Sequence, residues 1–354
     1  MLIIGCDFHT RYQQVAMARE ETGELLVERR LDHESGEAAD FYRSLQQAQE
    51  PVRVGIEATG PIHWFERLLA ELGHELWIGD SAKIRASEVR KQKTDERDAA
   101  LILGLLLSKR FPRIWVPTPA ERDVRQLLWH RHKLVSLRTM LGNQLHFLAM
   151  SQGLCRKKKL FTRNGRIELT GLALGPWASR RREELLRLLD QLAPAIAELD
   201  RAVLEEANRR KDAVLLMTHP GIGPVTSLAF VLAIGPIARF CRSKKIASYL
   251  GLNPSEASSG GRRRLGSISK QGNTMVRWLL IETVHHAVRQ DPELLQDYQR
   301  LKFRRGHAVA KVAIARKLAV RMYWMLRSGA DYAQLVRRQG SPGATLVDAS
   351  SSLG

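Results

Sequence analysis

Leu2-Ile3-Ile4-Gly5-Cys6-Asp7 opens the chain as a short apolar run that ends directly in a carboxylate, and Val52-Arg53-Val54-Gly55-Ile56-Glu57 repeats the pattern. Between them, residues 14–18 and 25–30 alternate like strands around the turn Glu21-Thr22-Gly23, and residues 37–49 carry a helical pattern. An amphipathic helix is expected over 62–72, closed by Gly73, then a fifth strand over 75–78 and helices from about 82 to 108. The order is therefore three strands, helix, strand, helix, strand, helices.

Three consecutive strands joined by tight turns, then alternating helices and strands, is the ribonuclease-H-like (RuvC-like) order. A doubly wound sheet would alternate from its start. In the ribonuclease-H-like sheet the first and fourth strands are neighbours, so Asp7 and Glu57 would lie close together. Asp95 and Asp98 sit three apart in Lys93-Thr94-Asp95-Glu96-Arg97-Asp98-Ala99, a spacing that shares one helical face. Taken singly, each acid has an ordinary reading as a turn or cap residue. Taken together, four converging acids repel one another unless a cation neutralises them. Oxygen-only ligands select a hard ion, Mg²⁺ or Mn²⁺, and such ions can clamp the attacking and leaving oxygens of a phosphoryl transfer.

The prolines at 112, 117 and 119 mark a boundary, giving an α/β domain over 1–119. Beyond it the pattern is all helical. Leu127, Leu134, Leu141 and Leu148 recur every seven residues, and Leu185, Leu189, Leu192, Ile196, Leu199 and Val203 alternate four and three apart. These seams predict a helical hairpin or coiled coil over 120–210, with a basic loop at about 153–177 and Pro194 as an interruption of the second helix. A third, strongly basic helical segment spans 211–330, and the tail over 331–354 is expected to be disordered.

The formal charge is +19, from 56 Lys+Arg against 37 Asp+Glu, which favours a polyanionic partner, nucleic acid before an anionic membrane. The three cysteines, Cys6, Cys155 and Cys241, lie far apart, which fits a reducing cytosol and argues against a cysteine zinc site. No apolar run is long enough to span a bilayer. In the third segment, Pro220-Gly221-Ile222-Gly223 between two helices reads as a helix-hairpin-helix turn, where small residues let backbone N–H groups approach a phosphate. No acid falls between Glu256 and Glu282, while Arg262, Arg263, Arg264, Lys270 and Arg277 do. A second acid-free stretch, 298–330, carries Arg304, Arg305 and Lys311 and reads as a basic amphipathic helix with Val309, Val312, Ala313, Val320 and Trp324 on its apolar side. Serines in the loop Ala257-Ser258-Ser259-Gly260-Gly261 are turn formers by default, yet a hydroxyl there can attack phosphorus once activated.

Gly5-x-Asp7, Ile56-Glu57-Ala58-Thr59-Gly60, Thr94-Asp95-x-x-Asp98, Pro220-Gly221-Ile222-Gly223, Gly251-Leu252-x-Pro254 and Ser269-Lys270-x-Gly272 occur in this order. By these motifs the chain resembles the DEDD transposases of insertion-sequence family 110, over nearly its whole length. The resemblance implies a RuvC-like metal site on Asp7, Glu57, Asp95 and Asp98, and a C-terminal transposase domain whose nucleophilic serine falls on Ser259, with Ser258 beside it. It also implies donor and target DNA, a guide (bridge) RNA, a homo-oligomer, dimer or tetramer, built through the long helices, and composite active sites. Two rival readings follow from the residues themselves. One is a Holliday-junction-type nuclease in which metal-activated water attacks; the other is a non-catalytic nucleic-acid binder whose acids are caps and turns.

Overall fold

The computed structural model describes residues 1–47, 49–60, 62–87, 94–257 and 264–340. It divides into two compact units, 1–116 and 117–354.

The first unit is built on a five-stranded sheet. Its strands are β1 (Leu2–Phe8), β2 (Tyr12–Arg19), β3 (Leu25–Asp32), β4 (Val52–Glu57) and β5 (Glu75–Gly79), in the order β3-β2-β1-β4-β5. β1 pairs antiparallel with β2 and parallel with β4, so the central strand is buried on both faces. Side chains alternate across a strand, and the two faces have separate cores. Leu2, Ile4, Cys6 and Phe8, with Val52, Val54 and Ile56, pack against α1 (Glu37–Gln46) and α2 (His63–Glu71). Ile3, Ala16 and Ala18 pack under α4 (Asp95–Leu107), through Ala99, Ile102, Leu103 and Leu106. A short α3 (Ser81–Ala86), capped by the Asp80 carboxylate, follows β5. Every strand and helix expected over the first hundred residues is present in that order.

Gly5 and Gly55 are paired across β1 and β4 and lie on the α4 face. A Cβ on Gly5 would collide with the backbone of α4 at Ala99 O and Leu103 N. A Cβ on Gly55 would meet only the tip of Leu106, 2.6 Å away. The helix thus rests on the bare backbone of β1.

The second unit is dominated by helices. α5 (Pro119–Ser151) and α7 (Pro176–Asn208) run antiparallel, as the Arg131–Asp200 and Gln144–Arg181 contacts require, residue numbers rising on one helix as they fall on the other. α7 continues through Pro194 rather than breaking there, the proline being exposed on the helix's outer side. The basic stretch at 153–177 is not wholly loop: it contains α6 (Arg163–Thr170), whose Leu169 joins Leu141, Leu145, Leu160, Leu185 and Leu189 in a distal core. The other end of the pair, through Leu128, Val203 and Ala207, shares a core with α8 (Lys211–Met217), α9 (Pro224–Ile234), α11 (Thr274–Gln290) and α13 (His307–Ser328). α10 (Ser243–Tyr249) leads into a two-stranded ribbon, β6 (Pro254–Glu256) and β7 (Leu265–Ile268). α12 (Pro292–Arg305) precedes α13, and Gly306 at φ 82 separates them.

Two expectations are corrected here. The start of the tail is ordered: α14 (Tyr332–Gly340) packs Leu335 into the core, and the Tyr332 hydroxyl donates to Asp291 Oδ2 at 2.7 Å. Residues 341–354 lie outside the described residues. The apolar side of α13 is centred on Ala310, Ile314, Leu318, Met322 and Met325, while Val309 is exposed. The helix is wrapped by neighbours on several sides, so its burial is wider than a single stripe.

Replacing Gly5 by Ala should lower unfolding free energy by about 3 kcal/mol, because a backbone must shift, whereas Gly55→Ala should cost about 1 kcal/mol, because a side-chain tip can move. Urea unfolding of the full chain followed by circular dichroism measures both. Equal losses would show that α4 is free to lift from the strand.

Candidate metal and nucleic-acid site

The alternation that puts Gly5 and Gly55 beneath α4 puts Asp7 and Glu57, two residues further along each strand, on the same face. α4 begins just above them. Thr94 caps it, its hydroxyl accepting from Arg97 N at 3.4 Å, so Asp95, Glu96 and Asp98 all fall in the first turn. Acids in a first turn are favoured by the helix dipole.

Asp95 reaches down towards β1. The Tyr12 hydroxyl donates to Asp95 Oδ2 at 2.8 Å, and His9 Nε2 lies 3.6 Å from Asp95 Oδ1 and 3.0 Å from Asp7 Oδ2. The His9 ring stacks on Tyr12 with centroids 4.7 Å apart, and the Arg30 guanidinium lies 3.5 Å from the Tyr12 ring centroid. Among the described residues, Asp7, His9 and Asp95 offer ligand atoms all within 4.8 Å of one another. Burial raises the Asp7 carboxyl above its ordinary value; His9 pulls it down, and the charges of Asp98 and Asp95 push it up again. Asp98 is therefore felt electrically at Asp7. Glu57 stands at the end of β4, one step beyond the Cys6–Ile56 pair, with its Oε1 4.0 Å from an Arg85 nitrogen. An open cleft of ≈ 660 Å³ beside Asp95 is lined also by Gln14, Arg29 and Arg30.

His9, Tyr12 and Arg30 were not among the residues expected from sequence. Asp7-Phe8-His9 carries the signal in its period of two, which sends residues 7 and 9 to one side of an extended chain. Tyr12 and Arg30 gave none, since their placement depends on how β2 and β3 pair (Tyr12 with Asp32, Gln14 with Arg30).

The residues expected to meet nucleic acid divide three ways. Ser259, Arg262 and Arg263 lie outside the described residues. They belong to the connection between β6 and β7, whose stems close through Ala257 N donating to Arg264 O at 3.0 Å. Arg264, Lys270, Arg304 and Arg305 are exposed, and Gly223 has open space over it at the start of α9. The remaining three are otherwise employed. Arg277 is buried and donates to the carbonyls of Leu250 at 3.0 Å and Gln271 at 2.8 Å, so it clamps the base of the ribbon instead of facing a phosphate. Lys311 is only 16% exposed and pairs with Glu282 at 3.0 Å. Gly221, at φ 83, has Ala287 N of α11 2.7 Å from where a Cβ would stand; its smallness serves packing inside the unit. Beside it, His219 is buried, with its ring held far below the ordinary histidine value, at about 4, chiefly by desolvation.

The described residues thus bring an acidic cluster together between a strand end and a helix start, in a chain whose net charge is +19. A family profile described as Transposase, of the DEDD type named for IS110, matches residues 4–149, and the profile of the Transposase IS116/IS110/IS902 family matches 213–299. A probable family 20 transposase of Pseudomonas aeruginosa is 32% identical over 305 residues, covering 82% of this chain and 86% of the relative. The transposase for insertion sequence element IS1111A of Coxiella burnetii is 30% identical, covering 69% of each, and that for IS1328 of Yersinia enterocolitica is 26% identical, covering 78% of this chain and 84% of the relative. The chain belongs to the IS110 family of DEDD transposases, a class of DNA-processing enzymes. Among the described residues, no helix is long and apolar enough to cross a membrane.

The buried His219 generates a pH dependence. Its folded value of about 4 lies below the unfolded value of 6.5, so both states are neutral above pH 6.5 and the group then has no effect. As pH falls through 6.5 the unfolded chain takes the proton first, and stability drops by about 3 kcal/mol by pH 4. His219→Gln should remove that part of the slope: urea unfolding at pH 7 and pH 4.5 should show the variant gaining on the parent at the lower pH. A constant difference between the two would show that His219 charges freely in the folded state.

Proposed function

We propose that the protein cleaves and exchanges DNA strands at the ends of its insertion sequence, using the acidic site as a divalent-metal site and Ser259 as nucleophile. The observation that carries this reading is the convergence of Asp7 and Asp95, from a strand end and a helix start, on one point, with Asp98 charging the same spot. Strand order β3-β2-β1-β4-β5 is the order of a ribonuclease-H-like, RuvC-type sheet and supports it. The donor set fits Mg²⁺ or Mn²⁺: it is mostly carboxylate oxygen, its anions are close enough to repel, and burial already makes the charged form of Asp7 costly.

Asp7, Asp95, Asp98 and Glu57 would hold the ion, which when bound supplies positive charge to a phosphate oxygen as the phosphorus is attacked. Tyr12 fixes Asp95 by its hydrogen bond, and Arg30 stands over Tyr12 as a cation at the lip of the cleft. The Ser259 oxygen would bond to the scissile phosphorus while the P–O bond to the leaving deoxyribose breaks, the leaving oxygen taking up the proton the serine gives up; a hydroxyl at a second strand end would later attack the phosphoserine, breaking the Ser O–P bond and returning a proton to the serine. Arg264 and Lys270, exposed beside that connection, would hold the phosphate backbone. Guide RNA pairing with donor and target DNA, implied by the family resemblance, completes the reading.

The long α5/α7 pair is proposed to join copies of the chain. Trp129, Met140 and Phe147 are spaced 11 and 7 residues apart on α5 and are exposed by 47%, 49% and 71%, and Met140 and Phe147 line a groove with Asn143 and Arg181. An apolar stripe of that spacing suits a second helix.

Purified protein with the element's flanking RNA, labelled donor and target duplexes and Mg²⁺, resolved on a denaturing protein gel, tests the chemistry. A labelled band at the protein's mass is expected, lost in Ser259→Ala and Asp7→Ala and dependent on the RNA. Cleaved DNA with no adduct would replace the serine by water. In light scattering, Phe147→Glu should lower the oligomer's mass; an unchanged mass would exclude this stripe from the contact.

A further inference from the structure

The metal reading above leaves His9 without a part, although it stands between two of the proposed ligands. We infer that His9 Nε2 is itself a ligand of the ion, making the site a mixed nitrogen–oxygen one that prefers Mn²⁺ to Mg²⁺. The inference rests on that reading and adds a residue that the four-acid pattern does not contain.

The distances carry it first. An ion about 2.1 Å from each of six ligands has neighbouring ligands about 3.0 Å apart and opposite ones about 4.2 Å apart. His9 Nε2 is 3.0 Å from Asp7 Oδ2, an octahedral edge, and 3.6 Å from Asp95 Oδ1, between edge and diagonal. The widest separation in the set is within 4.8 Å. A shift of well under an ångström places all three around one ion.

Orientation carries it second. The ring is stacked on Tyr12, whose hydroxyl is tied to Asp95 and whose other surroundings include the Arg30 guanidinium. The plane of the imidazole is thus set by the same carboxylate that it would share an ion with. A ring that served only to neutralise Asp7 would not need to be tied to Asp95 as well.

The chemistry then fixes the preference. Mg²⁺ takes oxygen ligands and keeps water in place of nitrogen. First-row divalent ions accept imidazole, and Mn²⁺ is among those that also tolerate a carboxylate-rich octahedral set. One imidazole among four carboxylates shifts the balance without abolishing Mg²⁺ binding.

The test uses the full-length chain with Mn²⁺ alone. Pulsed electron paramagnetic resonance on protein grown with ordinary and with ¹⁵N-labelled histidine should show a directly bonded nitrogen whose coupling changes with the label. In His9→Gln that coupling should vanish while Mn²⁺ stays bound, and the ratio of Mn²⁺ to Mg²⁺ affinity, from competition, should fall about tenfold. A histidine that merely hydrogen-bonds Asp7 would lower both affinities together and leave their ratio unchanged. Bound Mn²⁺ that is lost in Asp7→Asn but shows no histidine nitrogen in the parent would overturn the inference and leave the metal reading standing. Mn²⁺ binding indifferent to Asp7 and Asp95 would overturn both. The labelled parent protein gives its answer even if the His9 variant does not fold.

Discussion

The backbone of α4 passes so close to β1 that residue 5 has no room for a side chain, and the geometry of the acidic site follows from that contact. A helix held off the sheet by ordinary side chains would stand about 10 Å away and start well above the strand ends. Here the glycine pair Gly5 and Gly55 lets it settle, and its first turn arrives level with Asp7. The electrostatics are then in tension. Burial and like charge oppose ionisation of Asp7, while His9 and the dipole of α4 favour the anions. Packing energy from Ala99, Ile102, Leu103 and Leu106 holds together charges that would otherwise separate.

The second unit handles charge in the opposite way. Several of its cations are paired internally, so they are not available to a polyanion. Lys317 pairs with Glu293 at 2.5 Å and Asp297 at 2.6 Å, and the buried Arg321 is bonded to Asp291 and Glu293. These pairs lace α13 to α12, and Asp291 also receives the Tyr332 hydroxyl from α14. Asp291 further caps α12 by accepting from Leu294 N at 2.9 Å. One carboxylate thus serves three helices, and replacing it would leave the buried arginine with Glu293 as its remaining acidic partner. The cations left for a polyanion are those on the exposed surface, such as Arg304 and Arg305 at the end of α12.

The sheet was legible because β1 and β4 are short apolar runs and because glycines at 23 and 73 mark the turns before β3 and β5. The acids were legible because strand ends and a capped helix start are local features. What stayed hidden depended on pairing at long range. Tyr12 reaches Asp95 across 83 residues of sequence, and nothing near Arg30 announces that it will cover that ring. Charge runs misled for the same reason: Arg277 and Lys311 read as nucleic-acid contacts, yet the partners that absorb them, the Leu250 and Gln271 carbonyls and Glu282, come from other elements or are backbone atoms. The tail misled because its composition is loop-like while Leu335 and Tyr332 alone supply enough contact to dock a short helix.

The ribbon of β6 and β7 has a consequence for how its two ends are coupled. Its foot is tied down by Arg277, by Ser269 N donating to Asn253 O at 2.8 Å and by Lys270 N donating to Gly251 O at 3.2 Å. Its stems close at Ala257 and Arg264. The two described ends of the connection between the strands are therefore held together, 3.0 Å from Ala257 N to Arg264 O, on a foot that α11 braces through Arg277. A change at Arg277 would thus be felt at both ends of that connection, although Arg277 itself stands at the foot of the ribbon.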